Sequence, residues 1–180
     1  MRVPSGVLAI KKTSQFLGWL LEWATILLMV ALTVVVVVAV GFRLAGDSLS
    51  WYDEVAAILL SWVTYYGSAL AALRRRHIGF DSVLLSLPLN LRLAAVVLAE
   101  IVVLGFFGVM AYTGMLVLDV LEGEYLVSLT WVPVQLTQSV IPVGAVLFII
   151  AELLSLPDYA RLVARGISLD HPEIVVEQEN

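Results

Sequence analysis

Few residues in this 180-residue chain have the chemistry for catalysis, and their spacing gives them no common task. The two histidines, His77 and His171, stand in a basic stretch and in the tail, and neither has an Asp, Glu or Cys cluster nearby at metal-ligand spacing. Cysteine is absent, which excludes disulfide, thiolate and zinc–thiolate chemistry. No serine has the context of a nucleophile elbow. Two carboxylates stand out because they lie in long apolar runs: Glu22 and Glu100. An ionisable group in such a run is costly to desolvate and is a functional candidate by default. Glu22, between Trp19 and Trp23, is within reach of the membrane interface; proton coupling is its second reading. Glu100 lies deeper, eight residues beyond Arg92, and reads as one half of a polar pair across a helix interface rather than as a proton relay. The sequence therefore predicts neither an enzyme nor a cofactor.

The runs that carry these residues define the architecture. The chain is 61% hydrophobic and 14% charged, far from the balance of a soluble domain. It divides into a short segment 1–16, a membrane domain 17–156 and a tail 157–180. Within the domain, four spans are expected at about 17–42, 51–73, 91–118 and 131–154, each long enough to cross a hydrocarbon core of roughly 30 Å. The valine block Val34–Val38 would suggest a strand in water. In lipid an isolated span must satisfy its own backbone, so helix is the expected form. The first run is too long for a secretory signal. The fold class is thus an all-α membrane protein of four transmembrane helices.

Charge orients it. Nine of the ten Lys and Arg residues fall on one side: Arg2, Lys11, Lys12, Arg74, Arg75, Arg76, Arg92, Arg161 and Arg165. Only Arg43 is opposite, so the positive-inside rule places both termini in the cytoplasm. The net charge of −5 gives no basis for nucleic-acid binding. Between spans 2 and 3, Asp81 and Ser82 are placed to cap a short interfacial helix ended by Pro88. Pro142 should kink span 4 near Gln138. On the outer face Asp47, Asp53, Glu54, Asp119, Glu122 and Glu124 are either solvated loop carboxylates or a docking surface for a basic partner.

Packing signals lie on spans 2 and 3. Gly67 with Ala71, and Ser68 with Ala72, make two small-xxx-small pairs, and Gly105, Gly108 and Ala111 open a small surface on span 3. Trp62 is too deep for an aromatic belt and reads as a packing knob, internal or against a partner.

One stretch is more specific than the rest: Trp51-Tyr52-Asp53-Glu54, then Trp62, Gly67, and Arg74-Arg75-Arg76-His77-Ile78-Gly79-Phe80-Asp81. With Leu87-Pro88 before Arg92, and Pro133 and Pro142 around span 4, it resembles the small (DctQ-type) membrane subunit of tripartite ATP-independent periplasmic (TRAP) transporters, over roughly residues 33–156. The resemblance implies a non-catalytic subunit in the bacterial inner membrane. Its expected partners are a large (M-type) membrane subunit, which would hold the substrate and sodium sites, and a periplasmic substrate-binding protein delivering an organic acid. Trp51 and Glu54 would then belong to the periplasmic end, while Arg76, His77 and Asp81 would order the cytoplasmic loop. The expected lack of a buried polar cluster agrees with a scaffold role. Two alternatives are a self-sufficient proton-coupled small exporter using Glu22, and the small subunit of a tripartite tricarboxylate transporter.

Overall fold

Val34–Val38 lies inside a continuous helix rather than a strand, as the solvent argument requires. The computed structural model describes residues 5–75, 84 and 86–166. Helix α1 covers Ser5–Leu44 and α2 covers Tyr52–Leu73. Helix α3 covers Leu89–Val120, and a single turn α4, Val134–Gln138, leads into α5, Val140–Ala164. Four stretches are long and apolar enough to cross a membrane: 11–44, 52–73, 89–120 and 134–164. Among the described residues there is no strand, only an isolated bridge between Tyr125 and Pro133.

Length separates these helices by role. At about 1.5 Å per residue α2 spans roughly 33 Å, close to the hydrocarbon core. With 40 and 32 residues, α1 and α3 are longer than the core requires. The fourth span is interrupted at Ser139. Pro142 has no N–H to give the Gln138 carbonyl, which accounts for the break where the kink was expected. A second proline, Pro157, is accommodated inside α5, which runs on to Ala164. Most of the expected interfacial helix lies outside the described residues; Leu84 and Ser86 are helical.

In lipid, burial of apolar surface does not drive helices together, so the contact points must be narrow. The central cluster is accordingly built on Ala69, Ala72 and Ala151, with Leu21, Leu73 and Phe148 filling around them. Helix α2 packs between α1 and α5, and α3 packs on α5. Phe107 of α3 stacks on Phe148 of α5 with ring centroids 3.7 Å apart. The closest helix approaches use glycines not singled out from sequence. A Cβ on Gly144 would come within 2.7 Å of Tyr65, and one on Gly114 within 2.9 Å of Pro142. Gly105 and Gly108 have no neighbour within 4 Å of where a Cβ would stand, so the small surface expected on span 3 takes no part in packing within the chain.

Candidate functional site

The polar side chains gather at the two ends of the bundle. At one end α2 finishes at Leu73, and Arg75 adopts a left-handed backbone with φ of 49°. For a residue with a Cβ that conformation costs on the order of 1–2 kcal/mol. Ion pairs compensate for it. The Nη1 of Arg75 donates to Glu100 Oε1 of α3 at 2.8 Å and pairs with Glu152 Oε1 of α5 at 2.6 Å. Its Nε donates to Ser155 Oγ at 2.9 Å, and its guanidinium lies 4.5 Å from the centroid of the Tyr159 ring. Glu100 and Glu152 are 8% and 6% exposed. One cation thus joins the ends of α2, α3 and α5.

This cluster corrects the expectation that the membrane domain would lack a buried polar cluster. Glu100 is placed in a polar pair across a helix interface, but the pair is a triad. Little in the sequence singles out Glu152, which lies near the C-terminal end of its span, and Arg75 stands there only among the basic residues and in the Arg74–Arg76 run. The available clue was Glu152 and Ser155 three residues apart, which puts both on one helix face.

Around the triad the same end is tied down by other groups. Arg74 Nη2 donates to Glu22 Oε2 at 2.6 Å, with both side chains nearly half exposed. Glu22 is therefore engaged at the bundle end rather than standing free in mid-span. Arg92 donates to the carbonyls of Val163 at 3.1 Å and Leu87 at 3.0 Å, so its guanidinium closes the C-terminal end of α5. Arg76, His77 and Asp81 lie outside the described residues.

At the opposite end Glu54, in the first turn of α2, accepts hydrogen bonds from the backbone of Val127 at 3.2 Å and Ser128 at 2.9 Å, and from the Ser128 hydroxyl. It clamps the loop between α3 and α4. Trp51, half-buried, precedes that first turn and its carbonyl accepts from Val55 N at 3.2 Å. Between the ends, Trp62 Nε1 donates to the Thr137 carbonyl at 3.1 Å, two residues before the break at Ser139. Its ring also meets Tyr66 edge-on at 5.7 Å. Gly67 faces α1, where a Cβ would make ordinary contact with Thr25 at 4.0 Å.

Among the described residues no group of three His, Cys, Asp or Glu side chains is arranged to hold a metal ion. The outward surface is apolar, with Leu98, Ile101, Phe106 and Val109 of α3 and Leu27, Val30, Val34 and Val37 of α1 all exposed. These features define a multi-pass membrane protein whose charges are tied together at the bundle ends and whose flanks are apolar. The chain belongs to the DctQ family: residues 32–161 match the family model described as the DctQ component of tripartite ATP-independent periplasmic transporters. Among curated proteins no match to this chain was found.

Proposed function

We propose that this chain is the small, non-catalytic membrane subunit of a sodium-coupled TRAP transporter, supporting the scaffold of the large membrane subunit. A periplasmic binding protein delivers an organic acid to that large subunit, and this chain sits in the bacterial inner membrane with both termini cytoplasmic. The family match over residues 32–161 carries the reading. The arrangement of polar groups supports it, because ion pairs and hydrogen bonds tie many of them together at the bundle ends and leave apolar flanks for a membrane partner. Charge supports the orientation. Lys11, Lys12, Arg74, Arg75, Arg92, Arg161 and Arg165 lie at the triad end, and Arg43 lies at the Glu54 end.

Glu22 speaks against the small-exporter alternative, since Arg74 holds it at the bundle end. In the scaffold reading Trp51 and Glu54 shape the periplasmic end, while Arg76, His77 and Asp81 order the cytoplasmic loop. The test is co-expression with the large subunit. The two should purify together, and uptake in proteoliposomes should need both along with the binding protein. Transport by this chain alone would overturn the proposal. Glu54→Gln and His77→Ala should weaken assembly or uptake without changing solute preference.

A further inference from the structure

The triad at the end of α2 has one cation and two carboxyls. An Arg–carboxylate pair is strongest when two parallel N–H groups meet both oxygens of one carboxylate. Here the guanidinium is divided: Nη1 serves Oε1 of Glu100 and Oε1 of Glu152, while Nε is taken by Ser155. Because both carboxyls meet the same nitrogen, they adjoin each other. The remaining oxygen of Glu100 is buried and has no hydrogen-bond donor. Among the described residues, two carboxylates and one guanidinium leave one negative charge without compensation, in residues more than nine-tenths buried.

The surrounding charges among the described residues are exposed or engaged elsewhere. Lys11 and Arg74 line the adjoining cavity, but Lys11 is exposed and Arg74 is paired with Glu22. Asp158, on the same wall, is exposed and faces Arg161 at 3.4 Å. Arg92 of α3 is directed to the carbonyls of Val163 and Leu87, and Tyr159 offers its ring face to Arg75. A buried ionised carboxylate lacking compensation is costly, and two carboxyls sharing a site do not both ionise readily.

We infer that the Glu100–Glu152 pair holds one shared proton, which makes the cluster with Arg75 electrically neutral. A bound hard cation would need several oxygen ligands and would stand against the guanidinium; a proton needs neither. The cavity lined by Arg75, Ser155, Asp158 and Tyr159 opens beside the guanidinium that both carboxyls share. The proton locks the ends of three helices together.

The experiment is infrared spectroscopy on the full-length chain in lipid nanodiscs. Wild type at neutral pH should show the carbonyl band of an un-ionised carboxylic acid, and both Glu100→Gln and Glu152→Gln should abolish it. No such band in wild type, or its survival in either variant, overturns the inference. Stability supplies a second reading. Wild type, which carries the proton, should lose stability at a pH high enough to remove it. Its unfolding equilibrium should shift by up to about tenfold per pH unit relative to Glu100→Gln, which needs no proton. Parallel pH profiles would overturn the inference. The band should also be the same in sodium and in N-methylglucamine; its disappearance in sodium would assign the site to the ion instead.

Discussion

A Cβ placed on Gly144 would stand 2.7 Å from the Cβ of Tyr65, closer than real side chains approach, so α5 meets α2 at a point with no spare room. Gly144→Ala should therefore force the two helices apart and destabilise the bundle by about 1–3 kcal/mol. Gly108→Ala, with nothing within 4 Å, is the control and should leave thermal unfolding in detergent unchanged or slightly improved. Equal midpoints for the two variants would show that the approach at Tyr65 is not limiting.

Adjacent arginines at the end of α2 should behave very differently. Arg75 is largely buried between two carboxyls, whereas Arg74 and its partner Glu22 are nearly half exposed. Removing the cation from a buried ion pair costs about 3–5 kcal/mol, because the partners are left without compensation. An exposed pair is worth only about 0–1 kcal/mol. Arg75→Gln should thus sharply lower the unfolding midpoint, and Arg74→Gln should barely move it. Adding Glu100→Gln and Glu152→Gln to the Arg75 variant should restore much of the loss; failure of that rescue would mean that Arg75 acts through packing alone.

The spans were legible in the sequence because lipid leaves an apolar run one backbone solution. The basic residues segregate around the runs, and that segregation gives the expected orientation. What could not be read was which polar side chains meet. Glu100 stood out because it is deep in its run, while Glu152 and Ser155 lie near the end of theirs and look like interface residues. Arg75 is one of three successive arginines, and neither its type nor its spacing sets it apart in the sequence. The glycines divide in the same way. Gly105 and Gly108 form the more visible pattern yet face outward, whereas Gly114 and Gly144 take the close contacts because of the helix positions that Pro142 and the break at Ser139 impose.

Glu54 should control the loop that follows α3. It accepts from two successive backbone N–H groups and from the Ser128 hydroxyl, so a single carboxylate holds Val127 and Ser128 against the start of α2. Glu54→Ala should speed amide exchange at those two residues without affecting the core around Ala69 and Ala72. Ser128→Ala removes only the hydroxyl contact and should have a smaller effect. Unchanged exchange in both variants would mean that the loop is held by its own bonds, such as Leu126 N to the Val132 carbonyl at 3.0 Å.

Trp62 should stabilise the interrupted fourth span through its indole N–H rather than through volume alone. The bond to the Thr137 carbonyl reaches from α2 to the turn just before Ser139, where the helix is already weakened. Trp62→Phe keeps an aromatic ring beside Tyr66 but removes the donor, and a hydrogen bond of this kind contributes about 0.5–1.5 kcal/mol. The variant should unfold at a modestly lower temperature, with faster amide exchange concentrated at residues 137–141. Trp62→Ala removes both the ring and the donor and should cost more. If Trp62→Phe matches wild type in both measurements, the ring alone accounts for the contribution of Trp62, and the break at Ser139 is held by Pro142 and its neighbours.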